Sequence, residues 1–404
     1  MKCNAPIDEA EAAGNRRDEK NPGERSLADD RGDASASGII AHGGAIDEAR
    51  RRWPNAPKPW IDLSTGINPV AYPVPEIGAE AWTRLPLAAE ERELLRAAAA
   101  RYGATGADCV VAAPGTQALI QILPRLMASL SARPIPNRGD TAEHDEGARP
   151  WVAVLSPTYA EHAAAWRREG HDVREVASLA ETHGAGAVVV VNPNNPTGRL
   201  MAPEALSEWA ASLARRGGLL VVDEAFADVS EPGASLVPVL PPSTIVLRSF
   251  GKMYGLAGVR LGFAMAEPAL AARLRGMLGP WAVSGPALAI GTAALNDGAW
   301  LEAARLRLAA DAARLDALLA DSGCAIVGGT TLYRLVACAK APALADSLGA
   351  HGILVRRFEY EPSWLRFGIP GSADAWKRLE RALGVGRHAA PAAAGSLSRP
   401  CGAP

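Results

Sequence analysis

A lysine that follows a buried-looking strand is the residue of this chain best suited to covalent chemistry. Lys252 comes shortly after the apolar run Thr244–Leu247 and lies between Gly251 and Gly255. The chain has six lysines among its 42 basic residues, so arginine is the usual choice where only positive charge is needed. Lysine, unlike arginine, can lose its proton and form a Schiff base. The flanking glycines allow backbone to approach a flat ligand closely. These features predict a Schiff-base lysine.

Polar residues stand at the ends of four consecutive apolar runs. In doubly wound sheets ligands bind outside the carboxyl ends of the strands. Each segment alone is typical of a turn or a solvated strand end, but the four in this order indicate one binding edge. Asp223 could keep a pyridine nitrogen protonated, which makes the ring an electron sink. Asn195 could donate to a phenolate oxygen, and Tyr159 either stacks on the ring or is an ordinary core aromatic. The four segments are 156–159, 192–198, 223–226 and 248–252.

A site for an anion is predicted where an apolar helix begins after Ala113-Pro-Gly-Thr-Gln117. Free backbone N–H groups at a helix N-terminus bind phosphate, and Gly115 and the Thr116 hydroxyl suit such a cradle. Ser249 and Arg260 lie close enough in sequence to Lys252 to close on the same phosphate. The sequence contains no P-loop, no Gly-x-Gly-x-x-Gly after a strand and no Gly-x-Ser-x-Gly elbow.

The elements that must position these residues form an α/β fold. Strands predicted at 151–155, 187–191, 219–222 and 244–247 are continuously apolar, as in a mostly parallel sheet covered by helices such as 203–216. After about residue 284, a long amphipathic helix and irregularly mixed strands predict a smaller α+β domain. The domain boundaries follow from these patterns, with 133–150 as a surface loop insertion. We predict a disordered tail at 1–38, an arm joining the small domain at 39–75, a large domain at 76–284, a small domain at 285–385 and a second tail at 386–404.

Composition narrows the class of protein. The chain of 404 residues has a formal net charge of −2, which favours neither nucleic acid nor an anionic membrane as partner. No run is long and apolar enough for a membrane helix, and the N-terminus does not resemble a secretory signal. Five scattered cysteines without metal-type spacing favour reduced thiols in a cytoplasm over a disulfide framework, and predict no metal site.

Together the segments 192–198, 223–226 and 249–262 resemble the fingerprint of the fold-type-I pyridoxal-phosphate enzymes, in their histidinol-phosphate aminotransferase-like branch. The resemblance covers roughly residues 40–384. It implies pyridoxal 5′-phosphate bound covalently to Lys252, with Asp223 at the pyridinium nitrogen and Asn195 at the phenolate oxygen. It also implies phosphate contacts from Ser249 and Arg260, and a homodimer whose active sites lie near the subunit interface.

Two features set this chain apart from the aminotransferases of that branch. Phe226 stands where they usually carry a tyrosine whose hydroxyl bonds the cofactor. The segments 42–46 (His-Gly-Gly-Ala-Ile) and 61–69 resemble the opening of threonine-phosphate decarboxylases of cobalamin biosynthesis. This resemblance implies that His42, Gly43 and Gly66 lie over the substrate, although Gly66 stands where such enzymes can have asparagine.

Two arginines ten residues apart lie on candidate strands of the small domain. A substrate with a carboxylate and a phosphate needs two such cations, and arginine offers a bidentate fork. By the resemblance, Arg366 binds the carboxylate and Arg356 makes a second substrate contact, with surface ion pairing as the alternative for both.

The sequence thus predicts decarboxylation of O-phospho-L-threonine to (R)-1-amino-2-propanol O-2-phosphate. The alternative is a histidinol-phosphate or related amino-acid aminotransferase. A third possibility, a non-catalytic regulator, is disfavoured because the 37 residues ahead of the fold are too few and too polar for a DNA-binding domain.

Overall fold

The computed structural model describes residues 42–131, 151–230 and 233–385. The tails predicted at 1–38 and 386–404 and the loop insertion predicted at 133–150 lie outside the described residues. The helices are α1 (Ile46–Arg52), α2 (Glu80–Thr83), α3 (Ala88–Tyr102), α4 (Thr116–Ser131), α5 (Glu161–Arg168), α6 (Pro203–Ala214), α7 (Phe250–Met253), α8 (Pro268–Leu278), α9 (Gly285–Asn296), α10 (Gly298–Asp321), α11 (Ala341–Ala350) and α12 (Ala373–Leu383).

The strands form two sheets. They are β1 (Ile61–Leu63), β2 (Val110–Ala113), β3 (Val152–Leu155), β4 (Val173–Val176), β5 (Ala187–Val191), β6 (Leu219–Asp223), β7 (Thr244–Ser249), β8 (Gly262–Met265), β9 (Ala325–Thr330), β10 (Tyr333–Ala337), β11 (Ile353–Arg357) and β12 (Trp364–Gly368). In the described part of the chain, seven strands form the larger sheet in the order β2-β8-β7-β6-β5-β3-β4. The strands from β7 to β4 are parallel, and β8 runs antiparallel to both of its neighbours.

Both faces of the larger sheet are covered, which explains why its central strands read as unbroken apolar runs. Alternate residues of β5 enter two different clusters: Val188 and Val190 pack in one, Ala187 and Val189 in the other. All five residues of β5 and of β6 are buried. Because side chains alternate across a strand, a strand with apolar layers on both faces needs apolar residues throughout.

The smaller sheet has the order β1-β11-β12-β10-β9. The first of its strands, β1, pairs in parallel with β11, whereas the other neighbouring pairs are antiparallel. The long helix α10 packs on β9 and β10 through a buried stripe at helical spacing, formed by Leu301, Ala304, Leu308, Ala312, Leu315, Leu318 and Leu319. The boundaries placed at 75/76 and 284/285 stay a prediction.

Two cysteines correct an expectation from the sequence. Cys324 and Cys338 form a disulfide, so the expectation of reduced thiols was wrong for this pair. They are 14 residues apart, but they flank β9 and β10, and the pairing of these strands brings their Cα atoms to 4.8 Å. Among the described cysteines, Cys109 is unpaired and buried. Cys3 and Cys401 lie outside the described residues.

None of the described helices combines the length and the apolar character needed to cross a bilayer.

Candidate active site

The carboxyl ends of β7, β6, β5 and β3 are neighbours along the larger sheet, as their polar ends predicted. A cavity opens at this edge and extends to the start of α4. It is lined by all eight residues predicted to bind a cofactor, namely Gly115, Thr116, Tyr159, Asn195, Asp223, Ser249, Lys252 and Arg260. The structure therefore brings together segments that are up to 145 residues apart in the chain.

Lys252 enters the cavity from the short helix α7, directly after β7. Its Nζ lies 5.6 Å from the centre of the Phe226 ring. Burial, and next the charge of Arg366, lower the pKa of Lys252 to about 8, although Asp223 acts in the opposite direction. The neutral amine needed for Schiff-base chemistry is therefore far more populated near neutral pH than in an exposed lysine. A Cβ at Gly251 would lie 2.7 Å from the Cα of Ala257, so the glycine permits this turn.

Asp223 ends β6 as a buried carboxylate held on both oxygens. Oδ1 accepts a bond from the backbone N–H of Ala225 at 3.0 Å, and Oδ2 lies 2.8 Å from Nε2 of His162. His162 belongs to α5 and is fully buried. Sequence reasoning missed this histidine, because its only signal is its position three residues after Tyr159. These two contacts hold the Asp223 carboxyl group at one end of the cavity, where it would stabilise a protonated pyridine nitrogen.

A buried group of three charged side chains links the carboxyl ends of β6 and β7. Arg248, at the end of β7, contacts Glu224, which follows β6, at 2.8 Å, and it also pairs with Asp228. Since all three side chains are buried, losing one partner would leave an unpaired charge in the interior. Asp223 and Ser249 each directly neighbour one member of this group, so it holds them in place.

Two positions in the predicted anion cradle require glycine. A Cβ at Gly115, whose φ is +85°, would lie 2.8 Å from Nη2 of Arg260. A Cβ at Gly262 would lie 2.5 Å from the backbone nitrogen of Thr116, the first residue of α4. Gly262 pairs in register with Ser249 across β7 and β8. The hydroxyl of Ser249, the guanidinium of Arg260 and the start of α4 thus converge as a phosphate site would require.

Tyr159 lies on the cavity wall as an amphipathic ring. Its hydroxyl donates to Oε1 of Gln117 at 3.2 Å. Burial raises the pKa of this hydroxyl to about 12, so it remains a donor at neutral pH. The ring is nearly perpendicular to that of His162, with centroids 6.1 Å apart. This arrangement suits a ring that stacks on a flat ligand.

Arg366 joins the smaller sheet to the cavity. From β12 it donates to Oδ1 of Asn195 and, at 2.7 Å, to the carbonyl of Ser64. Because Oδ1 of Asn195 accepts this bond, its amide nitrogen is the group that can donate to a ligand in the cavity.

Arg356 and Arg366 face each other in register on β11 and β12. Burial, together with the charge of Arg356, lowers the pKa of Arg366 to about 10. Burial also lowers the pKa of Arg356. Directly opposite residues of an antiparallel pair lie on the same face of the sheet, so the two side chains could serve a ligand with more than one anionic group.

A wall of two aromatic rings explains the glycine at position 66. A Cβ there would lie 2.8 Å from Cδ1 of Tyr333 and 2.9 Å from Cε1 of Phe226. The two rings meet edge to face with centroids 5.0 Å apart, and the Tyr333 hydroxyl donates to the carbonyl of Asn194 at 2.7 Å. Tyr333 was not singled out in the sequence, where it reads as a strand residue far from every motif.

The predicted substrate residues lie beside the cavity rather than in its lining. A Cβ at Gly43 would lie 2.4 Å from the carbonyl oxygen of Ser64, and Gly44 donates its N–H to the Ser64 hydroxyl at 2.7 Å. His42 lies with its ring centroid 5.9 Å from that of Tyr159. His42, Gly66 and Arg366 each contact a residue that lines the cavity.

The residues present fit pyridoxal 5′-phosphate. The cavity offers a lysine with a lowered pKa, a buried carboxylate and an amide donor. It also offers a space for a phosphate at Gly115 and Gly262, where the Cβ of any other residue would clash with its neighbours. Within the described ranges, no group of three His, Cys, Asp or Glu side chains is arranged to hold a metal ion.

Comparisons with known proteins agree with this fit. Residues 87–383 match the family described as aminotransferase class I and II. The threonine-phosphate decarboxylase of Pseudomonas aeruginosa strain PAO1 is 44% identical over 349 residues, which cover 85% of this chain and 97% of that protein. The threonine-phosphate decarboxylase of a Sinorhizobium species is 42% identical, covering 86% of this chain and 98% of that protein.

The fold prediction is confirmed by a solved structure. Histidinol-phosphate aminotransferase from Sinorhizobium meliloti, solved in complex with pyridoxal-5′-phosphate, superposes with a TM-score of 0.70 at 23% identity. The superposition covers 88% of this chain and 97% of that one. The chain belongs to the class I and II aminotransferase family, has its fold-type-I architecture and takes pyridoxal 5′-phosphate as its cofactor.

Proposed function

We propose that this protein decarboxylates O-phospho-L-threonine to (R)-1-amino-2-propanol O-2-phosphate, as a step of cobalamin biosynthesis. The observation that carries the proposal is the identity of 42–44% to two threonine-phosphate decarboxylases over nearly their whole length. The opposed Arg356 and Arg366 support it, because this substrate carries both a carboxylate and a phosphate.

In the proposed reaction the bond between Cα and the carboxylate breaks, CO₂ leaves and a proton is added at Cα. When bound, pyridoxal phosphate supplies a ring that accepts the electron pair released from that bond. Lys252 holds the cofactor and, because its pKa is lowered, can exchange a proton near neutral pH and return it to Cα. Asp223, positioned by His162, keeps the pyridine nitrogen protonated. Thr116, Ser249 and Arg260 bind the cofactor phosphate.

The substrate groups are assigned to the residues beside the cavity. Arg366 binds the carboxylate, and its bond to Asn195 connects this contact to the donor that faces the cofactor phenolate. Arg356, His42, Gly43 and Gly66 surround the remainder of the substrate. Since Phe226 has no hydroxyl, Asn195 is the strand-end donor to the phenolate oxygen.

An assay without a keto acid tests the reaction type. Purified holoenzyme given O-phospho-L-threonine alone should release CO₂ over many turnovers. The aminotransferase alternative predicts instead that histidinol phosphate is consumed only when 2-oxoglutarate is added, with no CO₂ from O-phospho-L-threonine. That second pattern would overturn the proposal.

We further propose that the protein is a homodimer. Large apolar side chains are exposed along two segments, 70–87 and 277–281. The first segment meets the start of α9, which follows the second, since a Cβ at Gly285 would lie 2.3 Å from the carbonyl oxygen of Ala81. Exposed apolar side chains on adjoining segments suit an interface, and a second copy of the chain is the occupant that the family resemblance implies. The exposed residues are Val70, Val74, Trp82, Leu85, Leu87, Met277 and Trp281.

A cytoplasmic location, without nucleic-acid or membrane partners, is proposed as well. A net charge of −2 supports the absence of a polyanionic partner. Cell fractionation with detection of the tagged protein tests the location, and recovery in a membrane or secreted fraction would contradict it.

A further inference from the structure

Glu161, a buried carboxylate that belongs to none of the sequence motifs, contacts His42. Glu161 is the first residue of α5 and is 9% exposed. Its Oε1 lies 3.0 Å from Nε2 of His42, and its Oε2 accepts bonds from Gln117 at 2.8 Å and Gln121 at 3.4 Å. Among the described ion pairs, His42 is the basic partner of this carboxylate. A buried carboxylate held on both oxygens is a fixed point for the groups that contact it.

His42 itself is less confined. Its side chain is 45% exposed and precedes two glycines. The backbone next to it is anchored, since Gly44 bonds to Ser64, but this bond does not set the direction of the imidazole. The contact with Glu161 does so. With Nε2 directed at Glu161, Nδ1 is the ring nitrogen that can face a ligand, and it donates when the ring is an imidazolium.

We infer that Glu161 is a positioning residue, which holds the His42 ring so that Nδ1 faces the phosphate of the substrate. The inference rests on the proposed function, because it takes O-phospho-L-threonine as the ligand. Glu161 does not contact the substrate. It would repel a phosphate directly, but its Oε1 is engaged by Nε2 of His42 at 3.0 Å, and the His42 ring lies 5.9 Å, centre to centre, from the Tyr159 ring that lines the cavity.

The test uses Glu161→Gln in the holoenzyme. The amide preserves the shape, and its oxygen can still accept from the two glutamines, but its nitrogen is a donor and therefore cannot accept an N–H bond from Nε2 of His42 or pair with a charged imidazolium. We expect the KM for O-phospho-L-threonine to rise about tenfold, the order of magnitude for loss of a hydrogen bond to a charged group. We expect kcat to change less than about threefold, because no reacting atom is touched. Cofactor content, measured from the visible absorbance, should equal that of the wild type.

A double-mutant cycle separates action through His42 from a general structural effect. In a His42→Ala background, Glu161→Gln should raise KM by less than about twofold, because the imidazole through which Glu161 acts is already absent. Glu169→Gln is the matched control, since this carboxylate at the end of the same helix pairs with Arg125 at the surface. It should leave KM unchanged.

Should the wild type release no CO₂, binding of O-phospho-L-threonine, measured by calorimetry on the same holoenzymes in place of KM, keeps the two proposals distinguishable. If the wild type binds this compound without releasing CO₂, the proposed function fails and the binding constants of the variants still test Glu161. An unchanged binding constant in Glu161→Gln, or an undiminished effect in the His42→Ala background, would overturn the inference. A wild type that does not bind the compound would overturn both.

Discussion

At the scale of single residues, the proton affinity of Lys252 is set by the cations and the apolar surface around it. Burial and the charges of Arg366 and Arg260 lower its pKa to about 8, against the attraction of Asp223. Schiff-base formation needs the neutral amine, so the rate of covalent cofactor uptake by the apoenzyme should rise with pH and level off above pH 8.

The first prediction concerns this pH profile. The rate of cofactor incorporation into apoenzyme, followed by visible absorbance, should have its midpoint at about 8. Arg366→Gln should move the midpoint upward, because it removes a cation that disfavours the ammonium form. Lys252→Ala should form no adduct that survives borohydride reduction. A wild-type midpoint near that of an exposed lysine, about 10.4, would contradict the assignment.

The second prediction concerns Gly66. Gly66→Ala should lower the free energy of unfolding by about 1–3 kcal/mol, the usual cost of overpacking, because the new Cβ would meet Tyr333 and Phe226. Activity should fall with it, since both rings lie beside Lys252 or Arg366. Gly78→Ala is the control, because a Cβ there meets no atom within 4 Å. Denaturant titration measures the free energy of unfolding of both variants. Equal values for Gly66→Ala and Gly78→Ala would show that the Tyr333 and Phe226 rings move to accept the new Cβ.

At the scale of elements, the hairpin of β9 and β10 delivers Tyr333 to the site. Its turn packs against the loop after β5 so closely that a Cβ at Gly198 would lie 2.0 Å from the carbonyl oxygen of Gly329. The disulfide between Cys324 and Cys338 joins the two ends of this hairpin. The end of β9 is therefore held against the loop after β5, and the disulfide closes the opposite end of the hairpin.

The third prediction follows from that covalent link. Closing a loop of this length restricts the unfolded chain by about 3 kcal/mol in the chain-entropy description. Replacing both Cys324 and Cys338 by alanine should lower the free energy of unfolding by up to about this amount. Reductant should destabilise the wild type similarly and leave the double variant unchanged. A reductant effect that persists in the variant would exclude this disulfide as its source.

The sequence predicted elements well where one physical signal dominated. Continuous apolar runs located β3, β5, β6 and β7, because strands covered on both faces have no polar alternation. It missed β4, whose Arg174 and Glu175 are exposed, and β8, which contains a glycine and little β-branched character. It also missed the short strands β1 and β2, of three and four residues.

Contacts between distant segments could not be predicted in the same way. The pairing of His162 with Asp223, and of Glu161 with His42, depends on how α5 packs beside the sheet. Likewise Tyr333 reaches Gly66 only through the placement of a hairpin more than 260 residues further along the chain. The residues at strand ends can be recognised because each directly follows an apolar run, whereas the residues that contact and support them come from distant parts of the chain.

At the scale of the whole molecule, the exposed apolar face requires an explanation. Trp82 is 67% exposed and Trp281 is 58% exposed, on segments that meet near the start of α9. Two tryptophans this exposed, on segments that meet, are what an interface with a second copy of the chain would cover.

The fourth prediction is that this face joins two copies of the chain. Light scattering after size exclusion should give the mass of a dimer for the wild type, twice 42.1 kDa. Trp82→Glu combined with Trp281→Glu should shift the population towards monomer, because burying carboxylates at an interface is costly. Leu306→Glu, at an exposed apolar residue on α10, is the control and should stay dimeric. A monomeric wild type would refute the interface.

The two arginines opposed on β11 and β12 have a consequence for the lifetime of the protein. The charge of Arg356 lowers the pKa of Arg366, and the anionic ligand proposed to bind there would offset that cost. A ligand that binds only the folded chain lowers the fraction that is transiently unfolded. Cellular proteases degrade that unfolded fraction. The abundance of the protein should therefore follow the supply of its ligand, even at constant synthesis.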